Sequence, residues 1–283
     1  MRHVVAMRNH TRRVNAVAAD RASKAVLSAS WDTTLRLFKV SDGSELSVMR
    51  DSTKPANCVA FHPEGQFAVA GFWDARLRVY DTFNRKLEAT LAGHVKSVRA
   101  VSWSPTGRHI VSASLDGAVK LWSALTYVPV GEFTGHAEPI TRCIFSPTGQ
   151  ELLTVSNDRK VKVWGGQLGQ LLATAAPTPE DATGAATAVA YSKLGLVAVG
   201  FHEGALHLVS AHAQFGAPVL RLHDHQACVN AVTWSGDATR FATASEDRVV
   251  RVYSTASAAT SHLVLVGHQQ VFILRPERER EQE

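Results

Sequence analysis

A repeat of 42 residues constrains the fold of this chain more than any other feature of its sequence. Four aspartates lie 42 positions apart: Asp32, Asp74, Asp116 and Asp158. The aromatic residues that follow them keep the same interval: Phe38, Tyr80, Trp122 and Trp164. Further on the spacing lengthens, since Glu203 follows Asp158 by 45 positions and Asp247 follows Glu203 by 44. Periods of this length are typical of proteins that stack copies of one small structural unit.

Within one period the pattern predicts four short β strands. The segments "SVRAVSW", "HIVSAS" and "AVKLW" are rich in β-branched residues, and the turn sequences "SPTG" and "LDG" separate them. A weaker fourth strand, such as "KLEATLAGH", comes before the histidine of the next period. One small sheet cannot bury both of its faces, so several sheets arranged radially are expected. The six predicted third strands end near Phe38, Tyr80, Trp122, Trp164, Val209 and Tyr253.

The pattern "GH…V..V.W…LDG.VKLW" resembles the WD-repeat (WD40) β-propeller family over nearly the whole chain. The resemblance implies an all-β propeller of four-stranded antiparallel blades with six full repeats. The Trp–Asp pair that names the family is missing after the third strands, and the units ending at Tyr80 and Val209 are degenerate. The expected propeller covers residues 1–274, with blades over about 10–50, 51–92, 93–134, 135–175, 182–222 and 223–267.

The two ends of the chain do not fit six complete repeats. An extra strand is expected over residues 3–8, a stub of a further repeat over 268–274, and a charged, disordered tail over 275–283. We therefore expect a fragment of a seven-bladed or longer array, or a truncated gene model. A complete six-bladed ring is the competing interpretation.

A histidine, a serine and an aspartate in each period could be taken for a hydrolase triad. The resemblance implies instead a hydrogen-bonded structural network in each of four blades. Its predicted members are His10, Ser28 and Asp32 with the apolar Phe38; His94, Ser112, Asp116 and Trp122; His136, Thr154, Asp158 and Trp164; and His225, Thr243 and Asp247 with Tyr253. A hydrolase needs one nucleophile in one cleft, whereas this set recurs four times with serine and threonine exchanged. We therefore expect no catalytic residue.

Composition excludes several other classes of function. The chain has 30 basic and 25 acidic residues, a small excess that allows an acidic partner without requiring one. Its three cysteines have neither disulfide nor metal-ligand spacing, and no phosphate-binding glycine loop or HExxH motif is present. No apolar run is long enough for a membrane span. We expect a cytoplasmic or nuclear protein with no cofactor, metal, membrane contact or small-molecule substrate.

The resemblance also indicates where a partner would bind. In this family the residue before each turn aspartate lies on the top face, meaning the end of each sheet that carries those aspartates. These residues are Trp31, Trp73, Leu115, Asn157, His202 and Glu246, and Arg13, Asn15, Asn57 and Arg99 are expected to flank them. Tryptophans surrounded by Arg and Asn are typical of protein interfaces. We predict that Arg13, Asn15, Trp31, Asn57, Trp73, Arg99 and Leu115 bind proteins or peptides; local packing of the two tryptophans is the alternative.

RNA is a second, less favoured partner. Arg36, Arg78, Lys120, Lys162 and Arg251 recur two residues before the third-strand aromatic, although recurrence at that position favours stems packed against the sheet. The stretches "FHPEGQFAVAGFWDARLRVY" and "ELLTVSNDRKVKVWGGQLG" are also similar to the WD array of telomerase protein component one, a relative of the NACHT–WD proteins. That resemblance implies a docking array in a multiprotein or ribonucleoprotein assembly.

Overall fold

The computed structural model describes residues 7, 9–22, 24–165, 171–175, 184–210, 218–255 and 263–266. It contains six four-stranded antiparallel sheets, in each of which the strands pair in chain order. The prediction of an all-β fold with six four-stranded units is confirmed. Apart from Met7, the predicted end strand 3–8, the stub 268–274 and the tail 275–283 lie outside the described residues.

The chain divides into two compact units, Met1–Gly135 and His136–Glu283. The first unit holds three sheets. Its strands are β1 (Val14–Ala19), β2 (Ala25–Ser30), β3 (Leu35–Lys39) and β4 (Glu45–Met49) in the first sheet; β5 (Ala56–Phe61), β6 (Phe67–Phe72), β7 (Arg76–Asp81) and β8 (Lys86–Ala92) in the second; and β9 (Val98–Trp103), β10 (His109–Ser114), β11 (Val119–Ser123) and β12 (Pro129–Phe133) in the third.

The second unit repeats this plan in three further sheets. Its strands are β13 (Ile140–Phe145), β14 (Glu151–Ser156), β15 (Val161–Gly165) and β16 (Leu171–Ala175) in the fourth sheet; β17 (Ala186–Tyr191), β18 (Leu196–Phe201), β19 (Leu206–Ser210) and β20 (Pro218–Leu222) in the fifth; and β21 (Val229–Trp234), β22 (Arg240–Ser245), β23 (Val249–Ser254) and β24 (Leu263–Val266) in the sixth. The described residues include no helix long and apolar enough to cross a membrane.

In each turn between a second and a third strand, the residue directly after the acidic residue has a left-handed backbone conformation. The positive φ angles occur at Thr33, Ala75, Gly117, Arg159, Gly204 and Arg248. Glycine adopts this conformation without the steric cost that a Cβ brings, which explains why "LDG" predicts a hairpin in the third sheet. The other residues adopt it at some cost, because the same turn must be made in every sheet.

The apolar core of each unit lies between neighbouring sheets. In the first unit β5 packs against β1 and β2 of the preceding sheet, and β9 packs against β5 and β6 in the same way. The core between the first two sheets includes Leu27, Leu35 and Phe72, and the core between the next two includes Val98 and Trp122. Each sheet therefore buries both faces only with a neighbour, as the short period requires.

Candidate functional site

The structure brings each of the four predicted histidine sets together. The distance from His Nδ1 to Asp Oδ2 is 2.7 Å for His10–Asp32, 2.9 Å for His94–Asp116, 2.8 Å for His136–Asp158 and 2.7 Å for His225–Asp247. The distance from His Nε2 to the hydroxyl oxygen is 2.6 Å for Ser28, 2.8 Å for Ser112, 2.8 Å for Thr154 and 2.7 Å for Thr243. One imidazole therefore joins a second strand to the turn that follows it.

The third-strand aromatic extends the network in three of the four sheets. Trp122 donates its indole N–H to Ser112 Oγ at 2.8 Å, and Trp164 donates to Thr154 Oγ1 at the same distance. In the sixth sheet the phenol of Tyr253 is hydrogen-bonded to Asp224 and Thr243, and burial is the main reason why its pKa is raised. Phe38 is buried at the equivalent position of the first sheet and has no polar atom to contribute.

Burial sets the protonation state of the histidines. It lowers the pKa of His94, His136 and His225 below the ordinary value of 6.5, and the neighbouring aspartate offsets this only in part. A neutral ring can donate from Nδ1 to the carboxylate and accept at Nε2 from the hydroxyl. The donors then run in one direction, from indole to hydroxyl to imidazole to carboxylate, and each of these groups in the third and fourth sheets has a hydrogen-bond partner.

The aspartates also hold the main chain of two loops. Asp116 accepts the N–H of Ala118 in its own turn at 2.9 Å and the N–H of Val95, in the loop from the preceding sheet, at 3.0 Å. Burial raises the pKa of the Asp116 carboxyl, but these hydrogen bonds and the nearby His94 outweigh it, so that the pKa lies below the usual value. The carboxylate thereby fixes the turn against the loop that enters the sheet.

The geometry resembles a Ser–His–Asp triad, yet the hydroxyls are enclosed. Ser112, Thr154 and Thr243 are each 0% exposed. Ser112 Oγ already lies between the Trp122 indole and the His94 ring. A nucleophile must reach a reacting carbon and needs an oxyanion site beside it. These hydroxyls have no open side from which a substrate could approach.

Four further serines complete the networks and were missed from the sequence. They are Ser30, Ser114, Ser156 and Ser245, all fully buried. Ser114 Oγ donates to the carbonyl of Lys96 at 2.9 Å and accepts the N–H of Asp116 at 3.2 Å, and the other three make the same pair of contacts. The signal was present, because three of them share the 42-residue spacing.

The second sheet is stabilised differently at the same place. Asp74 forms an ion pair with Arg78, whose guanidinium nitrogens lie 3.2 and 2.7 Å from the two carboxylate oxygens. The Arg78 guanidinium also lies 4.5 Å from the centroid of the Phe72 ring. Ser52 occupies the histidine position, and its hydroxyl bonds only within its own loop, to Lys54.

The two predicted top-face tryptophans lie against each other. The ring centroids of Trp31 and Trp73 are 5.4 Å apart with an interplanar angle of 71°. The Trp73 indole N–H is held by Asn57 Oδ1 at 2.6 Å. Even so, Trp31 is 39% exposed and Trp73 is 46% exposed. The pair is therefore fixed in place and open to solvent.

Of the residues predicted to flank the tryptophans, Asn57 is the most deeply buried. It is only 9% exposed, and its Nδ2 donates to Ser97 Oγ at 2.8 Å and to the carbonyl of Val98 at 2.9 Å. The first strand bulges at Asn57, which turns its side chain toward the next sheet, and its predicted contact with a partner stays a prediction. Asn15, at the equivalent bulge, donates to the carbonyl of Ala56 at 2.9 Å. Arg13 is exposed, and Arg99 and Leu115 are half-buried.

The recurrent cations beside the third-strand aromatics contact other parts of their own sheets. Arg36 lies 2.5 Å from a carboxylate oxygen of Glu45, and Lys120 lies 2.5 Å from one of Glu132. Lys162 lies 5.7 Å from the centroid of the Trp164 ring. Among the described residues there is no group of three or more His, Cys, Asp or Glu that could hold a metal ion.

The repeats match a known family of proteins. The model of the WD domain, G-beta repeat, matches residues 2–39, 43–81, 85–123, 127–165 and 216–254, which together make up well over half of the chain. The repeat that supplies β17–β19 is not among these matches. The repeat ending at Tyr80 is among them, although it is degenerate in lacking the histidine. No curated protein matches the chain. The chain belongs to the WD40 repeat family, whose propellers generally serve as protein-interaction scaffolds.

Proposed function

We propose that this protein is a non-catalytic scaffold that binds other proteins or peptides through the top face of its first unit. The observation that carries the proposal is the exposed, edge-to-face pair of Trp31 and Trp73 on neighbouring sheets. Rigid aromatic side chains lose little conformational entropy when a partner covers them, and they dominate binding energy at many protein interfaces.

Local packing alone accounts poorly for the two rings. Each ring already has a packing partner in the other, and Asn57 anchors the indole of Trp73, yet 39% of Trp31 and 46% of Trp73 stay exposed to water. The turn itself does not require tryptophan, because Leu115 and Asn157 occupy the same position in the next two sheets. A preorganised aromatic surface that is left open is what a binding site offers to a partner.

The polar networks support a structural role for the histidine sets. Their hydroxyls are enclosed, their donors and acceptors are paired within each sheet, and the same set occurs four times. We propose that these networks stabilise the turns on which the top-face residues stand. Catalysis would require one of the enclosed hydroxyls to become accessible.

RNA contact through the same face is the second candidate. Exposed cations such as Arg12 and Arg13 favour it. The recurrent cations that first suggested it contribute little, since Arg36, Arg78 and Lys120 are already paired with carboxylates. The narrower likeness to the array of telomerase protein component one, together with a ribonucleoprotein setting and a cytoplasmic or nuclear location, stays a hypothesis that depends on the sequence pattern alone.

The test is affinity capture with chemical crosslinking, comparing the parent with the double variant Trp31→Ala/Trp73→Ala. The matched control is Phe83→Ala/Leu125→Ala, which removes two residues that are 84% and 89% exposed in third-to-fourth-strand turns, at the opposite end of the sheets. We expect the tryptophan variant to keep its thermal midpoint and lose crosslinked partners, while the control loses neither. Equal partner recovery from both variants would contradict the proposal. Filter binding of RNA over a range of salt concentrations examines the second candidate, because phosphate contacts give a steep salt dependence.

A further inference from the structure

The first unit has an exposed cation at one repeat position in all three of its sheets. These residues are Arg12, Lys54 and Lys96, each 42 positions from the next. The same position is Glu138 in the fourth sheet and Ala227 in the sixth. The positive charge at this position is therefore a property of the first unit and not of the repeat.

Main-chain hydrogen bonds place each cation next to the apolar top-face residue of its own sheet. The N–H of Trp31 donates to the carbonyl of Arg13 at 2.9 Å, that of Trp73 to Pro55 at 3.0 Å, and that of Leu115 to Ser97 at 3.0 Å. The residue directly before each acceptor is the cation of that sheet. In each of the three sheets an apolar residue and a cation therefore stand side by side.

The carboxylates of the same loops are already engaged. Asp32 and Asp116 accept hydrogen bonds from histidines and Asp74 is paired with Arg78, while Asp51 lies near the buried Tyr80 phenol and helps to raise its pKa. In the part of the chain that the structure describes, no acidic residue forms an ion pair with an exposed top-face cation of the first unit. These cations are Arg12, Arg13, Arg50, Lys54, Arg76 and Lys96. Their charge is thus available to an external anion.

The second unit presents different chemistry at the equivalent positions. Asn157, His202 and Glu246 replace Trp31, Trp73 and Leu115, and each makes the same main-chain hydrogen bond to the start of its first strand. With Glu138 also exposed, this unit has neither the apolar residues nor the uniform positive charge. The two features occur together only in the first unit, which suggests that one ligand uses both.

We propose that the top face of the first unit binds an acidic peptide segment that also carries apolar side chains; this inference rests on the proposed function and specifies the partner's chemistry. Apolar side chains of the segment cover Trp31, Trp73 and Leu115, while its carboxylates face Arg12, Lys54 and Lys96. Complementary charge speeds association and rejects partners of the wrong sign, and the aromatic pair supplies affinity.

A nucleic acid fits this surface less well than such a peptide. Phosphates would satisfy the cations, but single-stranded bases bind by stacking on aromatic faces. Leu115 offers no such face, and the 71° angle between Trp31 and Trp73 prevents the two rings from stacking parallel bases in succession. Leucine, phenylalanine or methionine side chains can cover all three residues.

The experiment selects a phage-displayed library of random dodecapeptides on the full chain. Selections run in parallel on Arg12→Glu/Lys54→Glu/Lys96→Glu and on the matched triple variant Arg21→Glu/Lys24→Glu/Arg108→Glu. The matched variant makes the same change of charge with exposed cations in first-to-second-strand turns of the same unit. Enriched peptides are then synthesised, and their affinities are measured at low salt and at about 0.5 M salt. A random RNA pool is examined in the same way.

We expect the parent and the matched variant to enrich peptides that are net negative and contain apolar residues. Binding of these peptides should fall by at least about tenfold in the top-face charge variant and in Trp31→Ala/Trp73→Ala. Neutral or basic enriched peptides, equal enrichment on both charge variants, no enrichment on the parent, or RNA binding through these residues in place of peptides would each overturn the inference. If a crosslinked protein partner requires Trp31 and Trp73 but tolerates reversal of the three cations, the proposed function stands and this inference fails.

Discussion

Replacing Asp116 by alanine examines the structural role of a network directly. Asp116 accepts three hydrogen bonds, from His94 Nδ1 at 2.9 Å, from the N–H of Val95 at 3.0 Å and from the N–H of Ala118 at 2.9 Å. The substitution removes both carboxylate oxygens, which together accept the three hydrogen bonds, and leaves the three donors in place. Because the His94 side chain is fully enclosed, water cannot easily replace the lost carboxylate at its ring.

The expected cost follows from where the three donors lie. The His94 ring N–H becomes an unsatisfied buried donor, which costs about 1–3 kcal/mol. Val95 is exposed and Ala118 is half-buried, so water can reach their N–H groups and each loses only a net hydrogen bond of about 0.5–1.5 kcal/mol. Together these terms predict that Asp116→Ala lowers the free energy of unfolding by about 2–6 kcal/mol.

Urea denaturation followed by tryptophan fluorescence measures this difference. The matched control is Asp237→Ala, since Asp237 also accepts a turn N–H, that of Thr239 at 2.9 Å, but is exposed and has no histidine partner. The control should cost less than about 1 kcal/mol. If Asp116→Ala unfolds at the same urea concentration as the parent or as Asp237→Ala, the network does not stabilise the turn.

Three further predictions concern pH, packing and backbone strain. Burial lowers the folded-state pKa of His94, His136 and His225, so below pH 6.5 the unfolded chain takes up protons that the folded chain does not. The free energy of unfolding should therefore fall as the pH drops below 6.5, by up to about 1.4 kcal/mol per pH unit for each histidine. Equal urea midpoints at pH 7.5 and pH 5 would contradict this. Gly71→Ala would place a Cβ 2.6 Å from Val98 Cγ1 and should lower the free energy of unfolding by about 1–3 kcal/mol. In the control Gly131→Ala the nearest contact of the new Cβ is at 3.6 Å, so the free energy of unfolding should change by less than about 0.5 kcal/mol. Similar thermal midpoints for the two variants would contradict this prediction. A Cβ at Gly117 would meet no atom within 4 Å, but Gly117→Thr must adopt a φ of 82°, so it should cost about 1–2 kcal/mol, and Thr33→Gly should not destabilise. A calorimetric midpoint for Gly117→Thr equal to that of the parent would show that the turn relaxes.

The repeat made the sheets and the members of the networks predictable. Interval, turn residues and alternation together indicated where each strand lies, and the strands β9, β10 and β11 fall on the three segments "SVRAVSW", "HIVSAS" and "AVKLW". The spacing also grouped His94 with Ser112 and Asp116, because positions that recur together tend to serve the same local structure. Both inferences depend only on contacts within one repeat.

The links made by the bulge residues of the first strands, which the sequence did not show, depend on contacts between repeats. Asn57 was expected at a partner-binding surface, but the β-bulge turns its amide onto the carbonyl of Val98 in the next sheet. Thr141 and Thr187, at the equivalent bulges of the second unit, reach the carbonyls of Ala186 and Val229 in the same way. The residue type gives no sign of this, because asparagine and threonine side chains are mostly exposed in folded proteins.

Different residues of the turn hold its structure and form its exposed surface, which explains how one repeat can support a specific surface. In the four sheets that have a network, the aspartate, the histidine and the buried serine are hydrogen-bonded to one another or to the main chain. The residue just before the aspartate therefore contributes only its main-chain N–H to the turn, which Trp31 and Glu246 donate equally well. Its side chain is therefore free to vary without loss of the turn. The side chains at such positions can differ between the two units while the strands and turns that carry them stay the same. The first unit accordingly has aromatic and basic residues there, and the second unit has polar ones.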